Sequence, residues 1–201
     1  VFQKLTRLFS KTALEVCEGQ QYDMDFETNS SVSHEEYIEM IRLKTGVLVG
    51  CALQMGAIIA KASDLDQKAI YDFGIQLGLA FQLQDDYLDT FGDQASFGKK
   101  IGGDILEDKK TILYHLALKV ADKEQANELQ SLLGADNLFK GEEKINKVKT
   151  IFEATSAKSS TRDLIQYHSK LANIELEKLS INEDQKSSFR NLKNWMMYRT
   201  Y

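Results

Sequence analysis

The stretch GIQLGLAFQLQDDYLDTF, residues 74–91, contains three carboxylates inside an otherwise apolar helical pattern. At about 100° per residue on a helical wheel, Asp85 and Asp89 lie on the same face. Gln82 and Gly78 continue that face one and two turns earlier. The other faces are apolar and must pack against neighbouring helices. The stretch therefore predicts a buried helix that ends in a narrow carboxylate-bearing face.

The three aspartates of this stretch, Asp85, Asp86 and Asp89, are locally unfavourable. Aspartate is a poor helix former, and near a helix C-terminus its charge opposes the helix dipole. Clustered carboxylates also raise one another's pKa values unless a cation lies between them. Mg²⁺ relieves both effects, because it prefers carboxylate oxygens together with water and substrate phosphates. The pattern therefore predicts a magnesium site, and the alternative is a solvated acidic face at a helix end.

The remainder of the chain also has a helical pattern. It has 201 residues, no proline, and apolar residues at spacings of three and four, which predicts one all-α domain. Capping pairs are expected at Ser33 with Glu36, Asp64 with Gln67, and Asn182 with Gln185. The predicted helices cover roughly 2–25, 33–62, 64–91, 106–121, 123–133, 141–155, 159–179 and 183–198, and a glycine-rich basic loop covers 92–104.

Charge and cysteine content narrow the class of protein. The net charge is −5, which argues against a nucleic-acid partner, since such a partner favours a basic face. Cys17 and Cys51 have no metal-type spacing and indicate reduced thiols, hence a cytoplasmic protein.

One apolar run needs separate consideration. Residues 45–60 are uncharged, but a membrane span needs about 20 such residues. We therefore expect a central core helix and not an integral membrane protein. Gly46, Gly50 and Gly56 would allow neighbouring helices to approach it closely.

Four stretches occur in a fixed order: GQQYD at 19–23, the pair Lys44-Thr45, FQLQDDYLD at 81–89 and GKKIGGDILEDKKT at 98–111. Together they resemble motifs of the trans-polyprenyl diphosphate synthases, the farnesyl and geranylgeranyl diphosphate synthase family. FQLQDDYLD is similar to the second aspartate-rich motif of that family. The resemblance implies an all-α, isoprenoid-synthase-type helical bundle around a central active-site cavity.

The first aspartate-rich motif of the family has no counterpart in residues 1–18. The chain also opens on Val1, within a segment that already has helical spacing. We therefore expect residues 1–201 to be the C-terminal part of a single polyprenyl synthase domain, incomplete at the N-terminus. On its own, such a chain would be catalytically incomplete.

The family activity supplies the expected function and partners. The resemblance implies a Mg²⁺-dependent prenyltransferase, with Mn²⁺ as an alternative ion, that condenses an allylic diphosphate with isopentenyl diphosphate. The product would be a short-chain polyprenyl diphosphate, and the enzyme would be a homodimer. Two needs follow from the chemistry: fixed cations must neutralise the leaving diphosphate, and water must be excluded from the carbocation.

The resemblance also assigns roles to individual residues. Asp85 and Asp89 would bind Mg²⁺, with Asp86 assisting through water. Asp23 is a weaker metal candidate, and the alternative for it is an exposed acid. Lys44 would contact the allylic diphosphate, or else be an ordinary lysine at a helix boundary.

The remaining assignments concern catalysis and the basic loop. The oxygens of Thr45 and Gln82 would lie near the cationic carbons. Either Lys99 or Lys100 would reach the diphosphate, and Lys99 is favoured by the family pattern. Lys109 is the other basic candidate. Without the resemblance, this loop reads as a solvated connector.

Three other functions fit part of the pattern. A non-catalytic, polyprenyl-synthase-like regulatory subunit would explain the missing first motif, but the intact aspartate triplet argues against it. A class I terpene cyclase shares the fold, yet such enzymes usually carry an asparagine/serine/glutamate motif where this chain has DDYLD. A purely structural helical bundle would not bind diphosphate with magnesium.

Overall fold

The structure, a computed structural model, describes residues 1–29, 31–93, 101–134 and 137–197. About 82% of the chain is helical, and the described residues contain no strand. The helices are α1 (Phe2–Thr28), α2 (His34–Ile41), a π-helical turn (Arg42–Gly46), α3 (Val47–Ile59), α4 (Asp64–Phe91), α5 (Gly103–Leu106), α6 (Ile112–Val120), α7 (Lys123–Leu132), α8 (Gly141–Ala154), α9 (Ala157–Glu177) and α10 (Glu183–Met197). The prediction of an all-α protein is confirmed.

One predicted helix, 106–121, is wrong at its start. The short helix α5 ends at Leu106 and α6 begins only at Ile112. Between them, Asp108 has a φ of 59°, in the left-handed region that a helix does not use but aspartate tolerates. This turn separates the two helices.

Two of the three predicted capping pairs are confirmed. The Ser33 amide donates to Glu36 Oε2 at 2.8 Å, and the Glu36 amide donates to Ser33 Oγ at 3.2 Å. At α10, the Gln185 amide donates to Asn182 Oδ1 at 2.9 Å. The reciprocal bond, from the Asn182 amide to Gln185 Oε1, is 3.2 Å.

The predicted cap of α4 is wrong by one residue. Ser63, not Asp64, caps this helix, because its Oγ accepts from the Asp66 amide at 3.1 Å. Gln67 donates instead to the Ala62 carbonyl oxygen at 2.7 Å. Serine and aspartate are both favoured N-cap residues, so composition alone does not choose between neighbours.

A π-helical turn, Arg42–Gly46, interrupts the predicted helix 33–62. Such turns are frequently found at functional sites. The turn lies against α1 at Gly19, where an added Cβ would be 2.4 Å from the backbone nitrogen of Lys44. Glycine is therefore needed at position 19 for α1 to approach the turn this closely.

The chain forms two compact units. The first comprises 1–25, 38–82 and 165–197 among the described residues. Its core is built on one face of α4, around the fully buried Phe73 and Leu77, with α9 residues Ala172 and Leu176 packed against that face. Burial of such side chains contributes about 1.5–3 kcal/mol each.

Two pairs of glycines allow α4 to approach its neighbours closely in this unit. A Cβ at Gly78 would be 2.8 Å from Gly46 Cα, and one at Gly74 would be 2.6 Å from Gly50 Cα. The expected close approach at Gly56 is wrong, because a Cβ there would meet nothing within 4 Å.

The second unit comprises 26–37 and 83–164 among the described residues. Here α8 packs against α5, α6 and α7. The fully buried side chains include Ile112 and Leu113 of α6, Leu129 of α7, and Val148 of α8.

The helical run His34–Ile59 is long and apolar enough, by length and composition, to cross a membrane. About 39% of its most apolar window is buried. A core helix of a globular protein has the same composition. The glycine contacts of this run with α4 are those of a packed core helix.

Candidate active site

Asp86 is the most deeply buried of the four predicted metal ligands. It is 4% exposed, and its Oδ2 accepts a hydrogen bond from the Tyr37 hydroxyl at 2.7 Å. Tyr37 lies on α2, 49 residues earlier in the chain, and is itself buried. A buried carboxylate needs donors of this kind, because without them its desolvation is costly.

Asp89 is held by the backbone of the segment that leads into α5. Its Oδ2 accepts from the Asp104 amide at 3.0 Å, and its carbonyl oxygen accepts from the Gly102 amide at 2.6 Å. Burial raises the pKa of the Asp89 carboxyl, and the nearby Asp104 charge raises it further, against the lowering effect of the Asp104 amide. A cation beside Asp89 would lower this pKa again.

Gly102 makes this contact sterically feasible. Its φ is 81°, and an added Cβ would lie 2.6 Å from the Cδ1 atom of Ile145 on α8. Both the backbone conformation and the packing therefore require glycine at this position.

The three aspartates do not form a closed cluster. Within the described ranges, no group of three or more histidine, cysteine, aspartate or glutamate side chains is placed to hold a metal ion. Mg²⁺ does not need such a cage, because it usually keeps several waters and uses one or two carboxylates plus substrate phosphates. The oxygen donors of Asp85, Asp86 and Asp89 fit this ion, and their role as ligands stays a prediction.

The structure describes residues 92–93 and 101–104 of the predicted basic loop. Lys99 and Lys100 lie outside the described residues. Lys109 forms ion pairs with Glu107 at 2.8 Å and Asp104 at 3.0 Å. The bond to Glu107 is the main cause that raises the pKa of Lys109, so this side chain is cationic at neutral pH.

A buried lysine holds the same segment in place, and the sequence reasoning did not find it. Lys144 of α8 is 4% exposed, and its Nζ donates to Asp108 Oδ1 at 2.6 Å. The available signal is its position: Lys144 continues the apolar face that Val148 and Phe152 define on α8. A lysine on such a face indicates a partner carboxylate, although the pattern does not say which one.

Tyr37 was also missed, and here the sequence carries no signal. A lone tyrosine in an amphipathic pattern predicts only a core position. Its hydroxyl partner is 49 residues away, so only packing reveals it.

His115 of α6 supports Tyr37 from the side. The two rings lie 5.2 Å apart, and His115 Nδ1 is hydrogen-bonded to the Val32 carbonyl oxygen at 3.0 Å. A carbonyl only accepts, so Nδ1 carries the proton. Burial lowers the pKa of His115 to about 4, which leaves the ring neutral at neutral pH.

In the first unit, Lys44 lies in the π-helical turn and pairs with a predicted metal ligand. Its Nζ donates to Asp23 Oδ2 at 2.6 Å, and both side chains are about one third exposed. The GQQYD and Lys44-Thr45 stretches thus meet in space, because Gly19 allows α1 to lie against the turn.

The structure also brings together the two predicted catalytic oxygens. The Thr45 hydroxyl donates to Gln82 Oε1 at 3.2 Å, in a partly buried position. This pair connects the turn to α4 within the first unit. The resemblance implies only that both oxygens lie near the cationic carbons, and that role stays a prediction.

The described residues form an all-helical structure whose longest helix ends in the buried Asp86 and the half-buried Asp89, each held by a hydrogen bond. The family model of the polyprenyl synthetases matches residues 2–154. The chain belongs to the polyprenyl synthetase family.

Individual relatives agree with this assignment. The chain is 35% identical over 191 residues to a short chain isoprenyl diphosphate synthase of Methanothermobacter thermautotrophicus, which covers 94% of this chain and 57% of that protein. A solved geranylgeranyl pyrophosphate synthase superposes with a TM-score of 0.90 at 48% identity, over 100% of this chain and 62% of that one. A geranylgeranyl pyrophosphate synthase from Corynebacterium glutamicum, solved with isoprenyl diphosphate and magnesium, superposes with a TM-score of 0.87 at 30% identity. The match covers 98% of this chain and 56% of that one.

The chain spans little more than half the length of these relatives, between 56% and 62%.

Proposed function

We propose that the protein containing this chain is a Mg²⁺-dependent prenyltransferase that joins an allylic diphosphate to isopentenyl diphosphate. The observation that carries the proposal is the aspartate end of α4. There Asp86 and Asp89 are held by a tyrosine hydroxyl and a peptide amide, within a chain of the polyprenyl synthetase family. Such neutral donors fix the direction of a carboxylate without cancelling its charge.

The proposed reaction breaks the allylic C–O bond, and pyrophosphate leaves with the electron pair. The double bond of isopentenyl diphosphate then forms a new C–C bond to the allylic cation, and a proton is lost. Each candidate site residue would act on one of these events.

Asp85 and Asp89 would hold magnesium, and Asp86 would assist through water. When bound, this ion would neutralise the charge that grows on the leaving diphosphate. Asp23 is the weaker fourth candidate. The corynebacterial relative was solved with isoprenyl diphosphate and magnesium, which supports a divalent ion in the proposed reaction.

Lys44 would bind the allylic diphosphate, as a compact cation suited to phosphate. To do so it would exchange Asp23 for the substrate. Lys109, Lys99 and Lys100 are the remaining candidates for the diphosphate groups. The paired oxygens of Thr45 and Gln82 would lie near the cationic carbons and stabilise them.

Several broader features belong to the same proposal. We propose that residues 1–201 are the C-terminal part of one polyprenyl synthase domain, that the product is a short-chain polyprenyl diphosphate, and that the enzyme is a cytoplasmic homodimer. The free thiols Cys17 and Cys51 are compatible with that compartment. Apolar residues exposed along α1, among them Phe2 and Phe9, support a covered surface there.

The deciding experiment is product analysis of the full-length protein. It is incubated with isopentenyl diphosphate, Mg²⁺ and dimethylallyl, geranyl or farnesyl diphosphate in turn, and the products are identified by mass spectrometry. A product longer than the allylic substrate by one or more five-carbon units supports the proposal. A cyclised hydrocarbon from the allylic substrate alone would indicate a terpene cyclase, and no product under any condition would indicate a regulatory subunit.

A further inference from the structure

The hydrogen bond between Tyr37 and Asp86 is the best-defined side-chain contact at the aspartate end of α4. Its length is 2.7 Å, and both side chains are buried, with exposures of 7% and 4%. Removing a donor from a buried carboxylate leaves part of its desolvation uncompensated. The contact therefore constrains the orientation of the Asp86 carboxylate.

Tyr37 is itself fixed from two directions. The capping box of Ser33 and Glu36 fixes the start of α2 one turn before it. On its side, the ring lies 5.2 Å from that of His115, at an interplanar angle of 38°. His115 is in turn held by the Val32 carbonyl oxygen. The tyrosine hydroxyl therefore has little freedom to move away from the carboxylate.

We propose that Tyr37 is a positioning residue, which orients Asp86 so that the aspartate end of α4 can bind a divalent cation together with a diphosphate. This inference rests on the proposed function and adds to it a residue that the motifs do not contain. One hydroxyl occupies one of the acceptor positions of a carboxylate, which offers about four. This hydrogen bond restrains the orientation of the group, and a hydroxyl donor carries no charge that would neutralise the carboxylate.

The competing explanation is a buried polar pair that only stabilises the fold. Both roles would make the pair important for stability, so a stability measurement does not separate them. The dependence of activity and binding on metal concentration separates the two roles. A partner that orients a metal-binding carboxylate changes metal affinity or activity by about 10- to 100-fold when it is removed.

The test uses Tyr37→Phe in the full-length protein, a change that deletes only the hydroxyl. Initial rates of prenyl transfer are measured against Mg²⁺ concentration at saturating substrates. We expect the Mg²⁺ concentration for half-maximal rate to rise about 10-fold, with a smaller effect on the rate at saturating Mg²⁺. An unchanged half-saturation would overturn the proposal.

The matched control is Tyr114→Phe. Tyr114 is a buried tyrosine of the same unit, and no hydrogen bond from its hydroxyl is found within the part of the chain that the structure describes. This variant should keep the Mg²⁺ half-saturation within about twofold of wild type. An equal shift in both variants would show a general effect of weakened packing, and would also overturn the proposal.

A double variant connects the effect to Asp86. In an Asp86→Asn background, adding Tyr37→Phe should change the Mg²⁺ dependence by less than twofold, since the orientation of the carboxylate no longer matters. A further 10-fold change would show that Tyr37 acts through another group, against the proposal. If Tyr37→Phe folds poorly, Asp86→Asn alone tests the premise: a Mg²⁺ half-saturation within about twofold of wild type would show that the Asp86 carboxylate has no role in metal binding and would overturn the proposal.

Calorimetry separates failure of this inference from failure of the proposed function. Binding of Mg²⁺ with inorganic pyrophosphate is titrated into wild type and Tyr37→Phe. If wild type makes no prenyl product but binds this pair, and the variant binds it about 10-fold more weakly, the positioning role stands while the proposed activity falls. If wild type does not bind the pair, the positioning role falls as well.

Discussion

Two groups of motif residues in this protein are held in opposite ways. Lys44 of the first unit is paired with Asp23, so that charge is cancelled by charge. Asp86 and Asp89 of the second unit receive hydrogen bonds from a hydroxyl and a peptide amide, which are neutral donors. A neutral donor orients a carboxylate and leaves its charge in place, whereas an ion pair orients the group and also neutralises its charge.

The difference has a functional consequence under the proposed activity. The hydroxyl and the amide that hold Asp86 and Asp89 could stay bound while the ion binds, since each occupies only one acceptor position of its carboxylate. Lys44 would have to exchange one anion for another, which costs little because its pair is partly exposed. Removing an aspartate should therefore be more damaging than removing the lysine.

The largest expected effect comes from Asp85→Ala in the full-length protein. Turnover should fall by orders of magnitude because a metal ligand is lost, while helical content stays intact. Steady-state rates and circular dichroism measure the two quantities. The control is Asp163→Ala, which removes an exposed aspartate of α9. Near-normal prenyl transfer by Asp85→Ala would show that the metal assignment is wrong.

Lys44→Ala tests the other side of the comparison. The dissociation constant for geranyl diphosphate, measured by calorimetry without isopentenyl diphosphate, should rise about 10- to 100-fold, since a charge-assisted hydrogen bond contributes about 1.5–3 kcal/mol. The matched control is Lys170→Ala, which removes an exposed lysine of the same unit. Equal affinities in wild type and Lys44→Ala would remove Lys44 from the diphosphate site.

His115, which lies beside Tyr37 and is neutral when buried, predicts that the free energy of unfolding depends on pH. The pKa of His115 is about 4 in the folded state and about 6.5 when unfolded, so the unfolded state binds the extra proton in between. Stability is therefore lost as the pH falls from about 6.5 towards about 4. Between pH 7.5 and pH 5 the loss from this group should be about 2 kcal/mol.

The free energy of unfolding in urea, measured at both pH values for wild type and His115→Gln, checks this loss. The glutamine amide can still donate to the Val32 carbonyl oxygen but does not titrate. Burial also lowers the pKa of His168, and that contribution is common to both proteins. An equal loss of stability in wild type and variant would mean that His115 is not buried in its neutral form.

The smallest expected effect comes from Asp23→Asn, and it sharpens the comparison most directly. If Asp23 acts chiefly as the partner of Lys44, affinity for geranyl diphosphate should change by about two- to fivefold, the range of a partly exposed ion pair. The Mg²⁺ half-saturation should not change. A larger shift in the Mg²⁺ dependence than in diphosphate affinity would instead assign Asp23 to the metal site.

Local chemistry made most of the fold predictable. The glycine and carboxylate face of α4 follows from helical periodicity, and the capping box at Ser33 follows from residues three apart. The error at 106–121 has the same origin: apolar spacing continued through the segment, but the left-handed conformation of Asp108 ends the helix. A single backbone angle of this kind leaves no periodic trace in the sequence.

The sequence predicted the charged groups of the candidate site but not the residues that hydrogen-bond to them. Asp85, Asp86, Asp89 and Lys44 stand in recognisable motifs. Lys144 could have been suspected, because a lysine that continues an apolar helix face requires a partner.

The sequence by itself determined the helices, the side of α4 that carries its aspartates, and the family to which the chain belongs. These depend on spacings of three to seven residues or on motifs that are read directly. Only the tertiary structure decided the partners: Tyr37 for Asp86, the Asp104 amide for Asp89, and Asp23 for Lys44. Partners that lie 15 to 49 residues apart meet because helices pack, and the packing of the whole chain sets which side chains come together.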